Sequence, residues 1–127
     1  MKQCDSGVPE ELSDNREQLF YTIVSYLNTH LDETLTLSIV CGKFGVSQTS
    51  LSSMFREYEK TSFNNYLTKI RIEKAKQILE QEPKIFIREV AERCGYRDQF
   101  YFSRIFRTIT GICPKDYPQR SGAGGGI

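Results

Sequence analysis

The stretch FIREVAERCGYRDQFYFSRIF, residues 86–106, decides how the chain is read. Its first part predicts a short helix over about Ile87–Cys94, interrupted by Gly95. Asp98 then stands where a second helix needs a cap. In that second helix Phe102, Ile105, Phe106 and Ile109 fall at i, i+3, i+4 and i+7, one apolar stripe. Its other side carries Gln99, Ser103, Arg104 and Arg107. A short helix with four apolar anchors needs no two arginines and a glutamine for packing, so this polar face is expected to meet something outside the fold.

The chain resembles itself upstream. TLSIVCGKFGV (36–46) lies over FIREVAERCGY (86–96), with Val40 over Val90, Cys41 over Ala91 and Gly45 over Gly95. One residue inserted in the turn sets Ser47 over Asp98, Leu51 over Phe102, Ser52 over Ser103, Phe55 over Phe106, Arg56 over Arg107 and Tyr66 over Tyr117. Each copy reads as helix, tight glycine turn and capped helix, which is the helix-turn-helix pattern. The small residue (Cys41, Ala91) lets the first helix approach the second. The glycine four positions on is expected at φ > 0. A single such pattern is weak evidence; two in register, joined by one helix, are far more specific.

The rest of the chain fits this frame. A first helix is predicted over about Arg16–Leu31, with Leu19, Ile23, Leu27 and Leu31 on one side. Leu37–Phe44 follows, then a helix capped by Ser47 that runs to Glu59 with Leu51, Met54, Phe55 and Tyr58 inward. The joining helix starts after Thr61 or Ser62, keeps its period through Phe63, Tyr66, Leu67, Ile70, Ala75, Ile78 and Leu79, and stops at Pro83. Pro114 opens a last turn. The fold class is therefore all-α: about seven helices in two homeodomain-like three-helix units. The expected divisions are a disordered linker 1–17, a first unit 18–61, a linking helix 62–82, a second unit 83–119 and a disordered tail 120–127. A linking helix of about 20 residues spans roughly 30 Å, close to the ~34 Å between successive major-groove segments on one face of DNA.

Charge is unevenly spread. The net value is +1, yet residues 1–35 hold 2 basic and 7 acidic side chains, and residues 83–120 hold 8 and 4. An anionic partner is thus sought at the C-terminal half. Cys4, Cys41, Cys94 and Cys113 show no CxxC and no close histidine, so no metal site is expected. Cys41 and Cys94 read as buried apolar residues, and a reducing cytoplasm fits. With one histidine, no acid pair in a cleft-like context and no phosphate-cradling loop, the chain offers no catalytic residues, and no enzyme or cofactor is expected.

REVAERCGYRDQFYFSRIFRTITGICPKDY (88–117) is very similar to the C-terminal signature of the AraC/XylS transcription regulators, and CGKFGVSQTSLSSMFREYEKTSFNNYLTKIRIEKAKQIL (41–79) resembles the preceding half of the same domain. The likeness covers about residues 18–118. The linking helix, with Arg71 and Ala75-Lys76, looks most like the DNA-binding ends of larger sensors and response regulators of Gram-positive bacteria. The resemblance implies a double helix-turn-helix that binds duplex DNA near promoters, with RNA polymerase as a further partner and a sensing or receiver domain elsewhere in a longer chain. By motif position it makes Thr49, Ser52 and Ser53 the base-facing residues of the first unit, and Gln99, Phe100, Ser103 and Arg104 those of the second. Arg56, Arg107, Arg97 and Lys115 become phosphate contacts, with backbone amides at the helix N-termini meeting phosphates too. Arg71 reads instead as a tie between the linking helix and a unit.

Three departures from the family pattern stand out. Ser53 replaces a frequent arginine, Lys60 takes the glycine position after the first recognition helix, and Pro118 removes a backbone donor near the domain end. A different class of function, a helical interaction module that kept the fold and lost DNA binding, is the alternative reading.

Overall fold

The computed structural model describes residues 10–120, with side chains described from 15 to 118. Among the described residues there are seven helices and no strand: α1 (Glu10–Thr29), α2 (Leu37–Phe44), α3 (Gln48–Glu59), α4 (Phe63–Gln81), α5 (Ile87–Arg93), α6 (Gln99–Thr110) and α7 (Tyr117–Arg120). They group into two compact units. One takes residues up to 30 together with 35–63, hence α1–α3; the other takes 31–34 together with 64 onward, hence nearly all of α4 and α5–α7.

In the first unit Phe20, Ile23 and Leu27 of α1, Val40 and Cys41 of α2, and Leu51, Met54 and Phe55 of α3 are all buried. Phe20 stands edge-on to Phe55 (centroids 4.9 Å apart), and Phe55 edge-on to Phe63 (5.5 Å). Each such side chain removed from water stabilises by about 1.5–3 kcal/mol. In the second unit Ile72, Ala75, Ile78 and Leu79 of α4 share one core with Val90, Ala91, Cys94, Tyr96, Phe102 and Phe106. Burial pushes the Cys94 thiol up to about 11, which keeps it an inert apolar filler. Tyr117 packs edge-on to Phe106 and its hydroxyl donates to Glu80 at 2.9 Å, tying α7 back to α4.

Several expectations need revision. Residues 10–17, expected as linker, form the first turns of α1; there Arg16 pairs with Glu57 and lies over the Tyr58 ring, which braces the early turns of α1 against α3. Arg120, expected in the tail, ends α7. Residues 1–9 and 121–127, with Cys4, lie outside the described residues. Phe20 takes the core place expected for Leu19, and Ile72 that expected for Ile70; both expected residues, and Tyr58, are half-buried. Ile109, the fourth anchor of the opening stripe, is 48% exposed. The core of the second unit ends at Phe106 with Ile105 and Tyr117 at its rim, so the last turn of α6 projects past it.

The local signals hold closely. Thr36, Ser47 and Asp98 each accept backbone N–H bonds at the starts of α2, α3 and α6. Gly45, Gly95 and Gly111 sit at φ 69, 94 and 81. Lys60, one repeat before Gly111, is forced into the same left-handed region at φ 58. A side chain there costs about 1–2 kcal/mol, against which Lys60 Nζ donates one exposed hydrogen bond to the Glu57 carbonyl. Lys60→Gly is therefore expected to stabilise the chain by about 0.5–1 kcal/mol. Thermal melting checks this, and a lower midpoint would show that the lysine does more than tolerate its backbone.

Candidate nucleic-acid interface

The polar faces of α3 and α6 are built alike because the repeat carries them. In α6 Phe102 and Phe106 are fully buried, which turns Phe100, Arg104 and Arg107 outward. In α3 Leu51 and Phe55 do the same for Thr49, Ser53 and Arg56. Ser52 and its counterpart Ser103 are half-buried at the margin of each face, as is Gln99. Phe100 is 70% exposed, a large apolar group in the middle of a polar face. Asp98 fixes the first turn of α6, its carboxylate accepting from the amides of Phe100 (2.8 Å) and Tyr101 (3.3 Å).

These caps narrow one expectation, since they occupy some of the helix N-terminal amides. The amides of Phe100 and Tyr101 in α6 are taken by Asp98, and that of Ser50 in α3 by the Ser47 hydroxyl. Those N–H groups are not free to meet phosphate, and the Asp98 carboxylate adds negative charge at the α6 start. Ser53 is also engaged: its hydroxyl accepts from Arg16 at 3.3 Å. The first unit's polar face thus offers short hydroxyls and Arg56, whereas the second offers Gln99, Arg104 and Arg107, with Arg97 and Lys115 exposed in the same unit.

The cations divide by role. Among the described residues Arg16 pairs with Glu57, Lys76 with Glu73 and Arg93 with Glu82. Arg56, Arg97, Arg104, Arg107 and Lys115 take part in none of these pairs and are exposed. Arg104 lies 5.9 Å from the Tyr101 ring centre, one turn back on the same helix. Arg71 behaves differently. It is half-buried, donates to the Glu33 carbonyl at 2.9 Å and covers the Tyr96 ring at 5.5 Å. Burial lowers its pKa, while Tyr96 and Cys94 act in the opposite direction. Arg71 is packing, as expected, within the second unit.

Two residues join the face that the sequence reading left out. Gln48 is exposed at the first turn of α3 and is the repeat counterpart of Gln99; the offset that aligned the caps points straight to it. Tyr101, 47% exposed, stands beside Arg104, and only the folded arrangement brings it forward.

A family model described as a helix-turn-helix domain matches residues 40–120. The chain belongs to the AraC-type helix-turn-helix family. Among its relatives in this family, the HTH-type transcriptional regulator YpdC of Escherichia coli K12 is 33% identical over 102 residues, which is 80% of this chain and 35% of that protein. The transcriptional activator RhaR of Yersinia pestis is 35% identical over 98 residues, 77% of this chain and 33% of that one. The chain therefore spans about a third of the length of these curated relatives. Among solved structures, the C-terminal domain of AraT, a response regulator from Geobacillus stearothermophilus, superposes with a TM-score of 0.75 at 36% identity, over 80% of this chain and 84% of that one. AraC-type membership matches the all-α, double helix-turn-helix reading of residues 36–117.

Proposed function

We propose that this AraC-type chain is a sequence-specific, duplex-DNA-binding output domain of a transcription regulator, and that α6 is its principal reading helix. The observation that carries this is the exposed face of α6, where Arg104 and Arg107 enter no intramolecular ion pair among the described residues. Arg104 donates two hydrogen bonds to guanine O6 and N7, Gln99 pairs with adenine, and Phe100 meets a thymine methyl. Ser103 completes that face. Thr49, Ser52 and Ser53 form the matching face of α3, where short hydroxyls read weakly or through water. Arg56, Arg97, Arg107 and Lys115 neutralise phosphates and supply affinity without sequence preference.

The two helices are proposed to enter successive major grooves, one chain serving as a dimer of single units would. The regulator acts in the cytoplasm, engages RNA polymerase and takes its signal from another domain of a longer protein. Two features support the setting: the short span of this chain against its relatives, and the absence, among the described residues, of any helix long and apolar enough to cross a membrane.

Fluorescence anisotropy with labelled duplexes tests the core of this reading. Binding is expected to weaken steeply with salt, with a log–log slope of about −4 for four or five phosphate contacts. Duplexes selected from a random library should show two informative segments about 10 base pairs apart. No binding, or binding indifferent to salt, would leave the interaction-module reading in its place.

A further inference from the structure

The repeat is broken at one informative place. Thr36 caps α2, its hydroxyl accepting from the Ile39 amide at 3.1 Å. Its counterpart Phe86 starts α5 with no side-chain cap bond and is 76% exposed. The second unit thus forgoes a helix cap and places a phenyl ring in water, two costs with no return in folding. The ring is not isolated. Phe86, Ile87 and Arg88 share with Gln99 of α6 a shallow groove of about 420 Å³. Arg88 is exposed and enters none of the ion pairs formed among the described residues. An apolar ring beside a free guanidinium, continuous with a base-reading residue, matches the alternating sugar and phosphate of a nucleic-acid strand. In a helix-turn-helix the first helix crosses the backbone while the second enters the groove.

We infer that Phe86 and Arg88 extend the α6 interface onto the DNA strand flanking the groove it enters: Phe86 packs on a deoxyribose face and Arg88 pairs with the neighbouring phosphate. This inference rests on the proposed reading of α6. It gives the second unit a sequence-blind anchor that the first unit lacks, since Thr36 spends its side chain on the cap.

The test uses anisotropy on labelled random-sequence duplexes, because the contact ignores base identity. Phe86→Thr restores a capping residue and so stays folded; it is expected to weaken binding about fivefold, as partial loss of a buried phenyl ring does, with the salt slope unchanged. Phe86→Leu keeps most of the affinity. Arg88→Gln reduces the salt slope by about 1. Wild-type affinity in Phe86→Thr overturns the sugar contact, and an unchanged slope in Arg88→Gln overturns the phosphate contact. If both fall while Gln99→Ala with Arg104→Ala still abolishes site preference, α6 reads DNA and only the flanking anchor is refuted. If the unaltered chain shows no salt-dependent binding, the reading and the anchor fail together.

Discussion

Gly95→Ala is expected to cost the second unit about 4 kcal/mol, a large share of the 5–15 kcal/mol that holds a domain folded. Two separate penalties add. Gly95 sits at φ 94, a backbone conformation that side chains rarely adopt, and left-handed backbone costs a non-glycine residue about 1–2 kcal/mol. A methyl there would also lie 2.0 Å from the Leu31 carbonyl oxygen and 2.9 Å from the Arg71 guanidinium. The guanidinium can move, but the carbonyl belongs to the backbone of the 31–34 segment, which packs within the same unit. Gly45 is the control. It occupies the matching turn of the first unit at φ 69, and an added methyl there meets nothing within 4 Å. Gly45→Ala should therefore show the backbone penalty alone, about 1–2 kcal/mol. Urea or thermal melting of both variants distinguishes the accounts. Equal losses at the two glycines would sink the steric argument and leave only the turn.

The second large effect concerns reading. Replacing Gln99 and Arg104 together by alanine should erase preference for the selected site, while binding to random duplexes changes little. Each bidentate pair discriminates by about 1–3 kcal/mol, so the two together are worth between roughly thirtyfold and about twenty-thousandfold on the preferred sequence. Arg104 carries one charge, so the salt slope should fall by no more than about 1. Both side chains lie outside the Phe102–Phe106 core, and neither serves a cap, so the fold should survive. Arg107→Gln supplies the contrast: it should weaken every duplex by a similar factor. A double variant that loses all sequences equally would move Gln99 and Arg104 from base reading to simple charge and packing.

The interface was legible to different depths. Thr49 and Arg56, like Phe100, Arg104 and Arg107, lie outward as their helical spacing from the buried phenylalanines and leucines requires. Gln48 was within reach of the repeat, since the offset that pairs Ser47 with Asp98 pairs it with Gln99. The Arg16–Ser53 bond was not legible, because 37 residues separate the partners and no local pattern links them. The occupied amides at Phe100 and Tyr101 follow from a cap that was expected, yet their consequence for phosphate binding is plain only once the Asp98 oxygen is seen to take both.

By itself the sequence determined the local chemistry. Caps at Ser47 and Asp98, turns at Gly45 and Gly95 and the left-handed Lys60 depend on a few neighbouring dihedrals and hydrogen bonds, which adjacent residues dictate. Tertiary structure alone decided which of two nearby apolar residues faces inward, Phe20 over Leu19 and Ile72 over Ile70, and that Ile109 stays half in water. It also decided that residues 31–34 pack with the second unit, where the Leu31 carbonyl and Arg71 close over Gly95. Those outcomes depend on groups distant along the chain competing for the same space, and spacing along one helix carries no record of what arrives from another.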